Sequence, residues 1–205
     1  MAAPEPVLRR RRGGRGAGGR DARRRRRSSA RRPRRGGGGV TARVRKAEPA
    51  DAPGLVELGT EVGNEPEGWL ITANGWRGVG DERRYLRALR RYPHAAVFVA
   101  EDGGRIVGRL SLARDQHPAS YHVADLGLMV AASHRRRGIG RALLDAAVEW
   151  GRENGVRKLE LHVFPHNQPA IQLYEGYGFE REGYRRAHYR RAGEYVDAIV
   201  MALVL

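Results

Sequence analysis

One segment limits the fold more than any other. An apolar run, Ala124–Val130, is followed after a short loop by Arg135-Arg136-Arg137-Gly138-Ile139-Gly140-Arg141-Ala142-Leu143-Leu144. The run has strand length. The stretch Gly138–Glu153 places Ile139, Leu143, Ala146, Ala147 and Trp150 on one helical face and is closed by Asn154-Gly155. Glycines at the entry to a helix let backbone N–H groups approach an anion that the helix N-terminus already favours. A strand feeding such a helix calls for an α/β layer. The dinucleotide-binding fingerprint would need a third glycine at position 143, where Leu143 stands, and no Gly-Lys-Ser/Thr exists for a P-loop. Taken alone, Arg135–Arg137 reads equally well as a solvated basic run.

The surrounding sequence supplies the rest of the layer. Thr41–Ala47 alternates like an edge strand. Asp51 offers an N-cap before Pro53, and Leu55, Val56, Leu58 and Val62 follow at helical spacing. Residues 64–80 are Gly-rich but hold Trp69, Leu70, Ile71 and Trp76, the pattern of a long loop with apolar content. A second helix is expected over 81–92 with Tyr85, Leu86 and Leu89 on one face. Ala96–Glu101 and Arg105–Leu112 read as strands joined by an Asp-Gly type hairpin turn at Glu101-Asp102-Gly103-Gly104. Strands are expected at His122–Val130, Lys158–Phe164, Phe179–Arg186 and Tyr195–Leu205, with a helix at Pro169–Tyr177. The order β-α-α-β-β-β-α-β-α-β-β predicts an α/β fold with a mixed, mainly antiparallel sheet and helices on both faces.

The net charge of +16 suggests nucleic acid until it is divided along the chain. Residues 1–39 carry 15 Arg against Glu5 and Asp21, whereas residues 40–205 hold 24 basic and 21 acidic residues. The first segment is Arg, Gly, Ala and Pro with almost nothing to bury. It is expected to be a disordered tail, and residues 40–205 a single domain. Nucleic acid is a partner only through that tail, by phosphate neutralisation. The competing reading is a plain solvated extension, or upstream codons translated ahead of a start near Val40 or Val44. The absence of cysteine excludes a disulfide scaffold, a cysteine nucleophile and thiolate-bound zinc. No run approaches the ~18 apolar residues of a membrane helix, and the basic N-terminus lacks a signal peptide's apolar core. A cytoplasmic protein with no membrane partner is expected, with a homodimer left open. His162 and His166 would suit a metal only on a helix, and they fall at a strand end, so no metal is expected.

A second block carries a family resemblance. Asn167-Gln168-Pro169-Ala170-Ile171-Gln172-Leu173-Tyr174-Glu175-Gly176-Tyr177-Gly178-Phe179, downstream of the Arg-x-x-Gly-x-Gly segment, resembles the Asn-x-x-Ala-x-x-Leu-Tyr-x-x-x-Gly-Phe of the GNAT superfamily of acetyl-CoA-dependent N-acetyltransferases. The resemblance spans roughly residues 41–205. His122-Val123-Ala124-Asp125 and Gly193-Glu194-Tyr195-Val196-Asp197-Ala198 look most like bacterial L-amino-acid N-acetyltransferases.

The resemblance implies acetyl-CoA as cosubstrate. Its pyrophosphate would rest on the amides from Arg136 to Ala142 (Arg136, Arg137, Gly138, Ile139, Gly140, Arg141, Ala142), with Arg135 and its neighbours adding charge. The pantetheine arm would pair with backbone at Met129 and Val130 and with Asn167. Tyr174 would give a proton to the departing thiolate, and the Val130 N–H would steady the oxyanion. The competing reading of Tyr174 is a helix aromatic packing under the sheet. A base must deprotonate the amine. His162 stands five residues before Asn167, where ribosomal-protein acetyltransferases of the superfamily carry a catalytic Glu; His122 and Asp125 are its rivals. The 64–80 loop and the 185–195 turn should form the acceptor pocket. The expected reaction is direct acetyl transfer to a small primary amine such as an amino acid. Protein N-termini, polyamines, aminoglycosides, and an acetyl-CoA-binding role tied to nucleic acid or the ribosome stay open.

Overall fold

The computed structural model describes residues 42–71, 76–191 and 193–205. The expected tail, residues 1–39, lies outside the described residues. The elements are β1 (Arg43–Lys46), α1 (Ala52–Gly63), α2 (Val79–Leu89), β2 (Ala95–Asp102), β3 (Arg105–Arg114), β4 (Val123–Val130), α3 (Ile139–Glu153), β5 (Lys158–Val163), α4 (Gln168–Tyr177), β6 (Glu180–Arg191) and β7 (Glu194–Val204), with short 3-10 turns between some of them. This is the order anticipated above. Among the described residues no helix is long and apolar enough to cross a membrane.

The strands form one sheet in the order β1-β2-β3-β4-β5-β7-β6. Every neighbouring pair is antiparallel except β4 and β5. That exception follows from connectivity, because β4 reaches β5 through the crossover helix α3, and a crossover returns the chain in the same direction. Two-residue links join the antiparallel pairs β2–β3 and β6–β7. Between β2 and β3, Gly103 and Gly104 both hold left-handed backbone, at φ 57° and 82°. Two consecutive positive angles are what a type I′ hairpin demands.

Helix α3 packs its apolar stripe on the sheet, burying Ile139, Leu143, Leu144, Ala147 and Trp150. Gly108 of β3 lies beneath it, where a Cβ would come within 3.1 Å of both Ile139 and Leu143. Leu110, Leu143 and Leu144 have no exposure, so truncating one of them to Ala should cost about 2–5 kcal/mol. On α1, Leu55, Leu58 and Val62 face inward, as their spacing predicts.

Three local expectations are corrected. Asp51 occupies the position before α1 but makes no side-chain cap to it. Its carboxylate instead accepts from the Glu48 N–H at 2.7 Å and from Arg45 at 2.7 and 2.8 Å. A charge-assisted bidentate pair is stronger than a neutral cap, so Arg45 captures it. Leu144 is buried although the helical pattern omitted it. Strand β6 runs on to Arg191, past the expected Arg186, because most of its residues are exposed and leave no apolar alternation to read.

Strands β4 and β5 pair over a short stretch only, Val123↔Lys158, Ala124↔Leu159 and Asp125↔Glu160. Beyond it β5 is held by β7 and β4 by β3, and the two part company. The site lies in that gap.

Candidate active site

The gap has a definite polarity. In a strand, alternate residues send their N–H and C=O to the same side. The Ala131 N–H donates to Val107 of β3 at 2.9 Å, and Asp115 N–H donates to the Val123 carbonyl at 2.9 Å. Odd-numbered residues of β4 therefore turn their backbone toward β3, and even-numbered ones toward β5. The Leu128 and Val130 backbone groups face the gap, past the end of the β4–β5 ladder. Met129, expected to offer backbone to the pantetheine arm, turns its own N–H and C=O to Arg109 in the β3 ladder. Its neighbours carry the open groups.

At the end of β4 the chain is prepared for helix entry. Arg136 and Gly138 hold left-handed backbone, at φ 61° and 81°. Such a conformation costs a non-glycine residue roughly 1 kcal/mol or more and turns successive amides toward one concavity. The Ala142 N–H is the first in the helical ladder, donating to Gly138 at 3.0 Å. The amides of Ile139, Gly140 and Arg141 precede that bond and have no intrahelical acceptor. Ala142, expected among the donors, is thus already engaged. Arg136 and Arg137 are exposed beside this turn.

Arg135 is committed elsewhere. Its Nη atoms donate to Glu65 at 2.8 and 2.6 Å, and its Nε donates to the Val130 carbonyl at 3.0 Å. It fastens the loop after α1 to the end of β4, and its charge is matched by Glu65. Gly140 also serves the packing of two helices, since a Cβ there would lie 2.8 Å from Leu173 Cδ2. The bare backbone lets α3 and α4 approach closely.

Asn167 caps α4, its Oδ1 accepting from the Ala170 N–H at 3.2 Å. From α4, Tyr174 is buried, with its ring 5.5 Å from that of Phe179. No partner for its hydroxyl stands among the described residues. Burial, and next the charge of Asp125, push its phenol well above the usual range, so it stays protonated. Tyr174, Asn167, Leu128, Met129 and His162 line one cavity of about 190 Å³ at the gap.

The titratable groups on the far wall form a network. By register, Asp125 lies beside Glu160, and His162 shares their face of the sheet because side chains alternate. Asp125 is accessible to water yet ringed by protein, and its carboxyl is pushed up to about 6 by lost solvation and by Glu160. His162 Nδ1 lies 2.6 Å from the Tyr189 hydroxyl, with the His188 ring edge-on at 5.4 Å. Lost solvation, then Arg185 and His188, hold the imidazole below its ordinary 6.5, against the opposing pull of Glu160. His122 is exposed; its carbonyl serves β5 by accepting from Arg157 at 2.7 Å. The structure thus brings His162, Asp125 and Tyr174 to one place.

The cavity's other wall is aromatic. Trp69, Leu70, Ile71 and Trp76 from the 64–80 loop line it, as does Arg109 of β3. Tyr189 reaches it indirectly, through His162. Sequence reasoning missed Arg109, Glu82 of α2, Tyr189 and His188. An arginine in the middle of the mainly apolar run Ile106–Leu112, which holds no other charge, was the one available signal for the first of these. Residues 72–75 and Ala192, within the two segments expected to form the acceptor pocket, lie outside the described residues.

Known proteins resemble this chain in sequence and in fold. The model of the acetyltransferase (GNAT) family matches residues 58–179. The L-amino acid N-acetyltransferase AaaT of Escherichia coli strain K12 is 41% identical over 127 residues, 60% of this chain and 76% of that one. The N-alpha-acetyltransferase RimI of Mycobacterium tuberculosis is 37% identical over 128 residues, 60% of this chain and 77% of its own. The crystal structure of a GNAT-family acetyltransferase from Streptococcus pneumoniae superposes with a TM-score of 0.71 at 27% identity, covering 80% of this chain and 99% of that one. The chain belongs to the acetyltransferase (GNAT) family and is an N-acetyltransferase.

Proposed function

We propose that this enzyme moves the acetyl group of acetyl-CoA directly to the primary amine of a small molecule, an amino acid being the substrate class that fits best. The observation carrying this reading is the cavity at the β4–β5 gap. At about 190 Å³, and lined by both Tyr174 and His162, it suits an acceptor of amino-acid size. An acetyl-CoA consumption screen with mass detection of products tests it, run over amino acids, polyamines, aminoglycosides and short peptides. Acetylated amino acids are the expected product. Peptides accepted at least tenfold better than every free amino acid would make a protein N-terminus the substrate instead.

The residues present fit acetyl-CoA. The gap-facing backbone of Leu128 and Val130 can pair with the amides of an extended arm, as a missing strand would. The amides of Ile139, Gly140 and Arg141, at the end of the α3 dipole, suit a pyrophosphate. Arg136 and Arg137 add positive charge there. When bound, acetyl-CoA supplies an activated thioester.

The chain's groups then divide the proton work. His162 takes a proton from the acceptor's ammonium. If its Nδ1–H donates to the Tyr189 oxygen, the lone pair on Nε2 is left free to accept that proton. The Val130 N–H donates to the carbonyl oxygen as negative charge develops there. Tyr174 donates its hydroxyl proton to the departing sulfur. A phenol held protonated by burial suits an acid that must deliver its proton only at that moment. Asp125 stands close enough to influence Tyr174 and is the alternative base. Residues 1–39 are read as standing outside the catalytic domain.

A further inference from the structure

The acceptor side of the cavity holds a charge that the chemistry above does not use. Arg109 occupies the middle of β3, directly across from Met129, one residue before the gap-facing Val130. It is 7% exposed. A guanidinium there is costly to bury unless matched, and its match is poor. The nearest carboxylate oxygen, of the fully buried Glu82, lies 3.6 Å from an Arg109 Nη, too long for a charge-assisted hydrogen bond. Glu82 is shared, since Arg77 Nε stands 3.2 Å from its other oxygen. The Arg109 Nε has no partner among the described residues, and neither do the buried indole N–H groups of Trp69 and Trp76. The guanidinium rests 4.8 Å from the Trp76 ring, which packs flat on Gly59 of α1 where no Cβ could fit.

Two arginines thus face one carboxylate, whose two oxygens also lack a hydrogen-bond partner among the described residues, and Arg109 lines the cavity. An anion of modest size in the cavity would give the Arg109 guanidinium the close partner that Glu82, at 3.6 Å, does not. Building on the reading that the acceptor is a small amine, we propose that Arg109 binds the acceptor's α-carboxylate, so that the enzyme selects α-amino acids over amines that lack one. Leu70, Ile71 and Leu128 border the space for an apolar side chain. Glu82 balances part of the Arg109 charge in the free enzyme and holds the guanidinium against α2.

The test uses the full chain with leucine, leucinamide and isopentylamine as acceptors, which share an apolar body and an amine but differ in the carboxylate. Binding of N-acetylleucine and N-acetylleucinamide is followed by tryptophan fluorescence and calorimetry, so that affinity is read without turnover and without the differing basicity of the amines. The wild type should bind N-acetylleucine at least ~10-fold tighter than its amide, the scale of a hydrogen-bonded charge. Arg109→Lys keeps the charge but loses the fork, and should retain only part of that preference. Because Arg109→Met alone would strand Glu82, the double variant Arg109→Met/Glu82→Gln removes both charges together. It should bind the two products equally while its acetyl-CoA affinity stays unchanged. Equal affinity of the wild type for the two products, or a preference that survives the double variant, overturns the assignment. Turnover failing with every amine while the carboxylate preference persists would refute the small-amine reading and leave Arg109 as an anion anchor.

Discussion

The two ends of the gap between β4 and β5 are built by different means. At the end proposed to hold the cofactor the groups on offer are backbone amides, namely the open edge at Leu128 and Val130 and the turn from Arg136 into α3. They come from one contiguous stretch, so local conformation suffices to place them. At the acceptor end the groups are side chains. Trp69 and Trp76 come from the loop after α1, Arg109 from β3, His162 from β5 and Tyr189 from β6. They meet only because the sheet orders its strands 1-2-3-4-5-7-6. A backbone site tolerates change in the side chains that surround it, whereas a side-chain site is redefined by single substitutions. The two ends should therefore fail separately under mutation.

The largest effect is expected from the residue that serves both ends. Tyr174→Phe removes a hydroxyl and nothing else, so kcat should fall by ~10²–10⁴-fold while acetyl-CoA affinity measured by calorimetry holds. Turnover within twofold of wild type would leave Tyr174 a packing residue, consistent with its contact to Phe179. Next in size is a change to the backbone end. Val130→Pro deletes an N–H that faces the gap and serves no ladder, so the fold should survive and kcat should fall by ~10²-fold or more. The same substitution at Met129 removes an N–H engaged with β3 and should lower thermal stability sharply. If the two variants melt alike, the assigned direction of the β4 backbone is wrong.

Smaller, and specific to the acceptor end, is the acid limb of the pH profile. A base works only when deprotonated, so the rate should rise with pH through the pKa of His162 and level off above it. With the imidazole held below 6.5 by lost solvation and by Arg185 and His188, that midpoint belongs on the acid side of 6.5. His162→Gln should eliminate the limb. A midpoint at about 6 that persists in His162→Gln and disappears in Asp125→Asn would move the role to Asp125.

How much of this was legible beforehand follows the same division. The strand, the glycine turn and the amphipathic helix of residues 124–153 could be read directly, because period-2 and period-3.6 patterns and turn residues are local signals. So could Asn167 and Tyr174, which one motif contains. The commitments of Arg135 to Glu65, of Gly140 to Leu173 and of Asp51 to Arg45 could not. Each depends on a partner brought in by tertiary packing, and each changes what a substitution would do. Gly140→Asp, for example, would test helix packing against Leu173 as much as anion binding. Arg109 carried a signal that could not be interpreted for a related reason: a charged residue inside a mainly apolar run gains meaning only when the facing helix supplies Glu82.

The smallest effect expected is none. Truncation to Val40 removes 15 of the 37 arginines but no residue of either end, so turnover and melting temperature should stay within error. A steep salt-dependent affinity for DNA or RNA, if the full chain has one, should vanish on truncation. Loss of acetyl transfer would make the tail part of the enzyme.

Backbone amides along the open edge of β4 and at the start of α3 are proposed to hold acetyl-CoA. Residue-resolved amide hydrogen exchange, measured with and without saturating coenzyme A, addresses this directly. Met129 and Ala131, already bonded to β3, should exchange slowly in both states. Leu128, Val130, Ile139, Gly140 and Arg141 should exchange rapidly in the free enzyme and become protected on binding. Unchanged exchange at Val130 with coenzyme A bound would contradict the account.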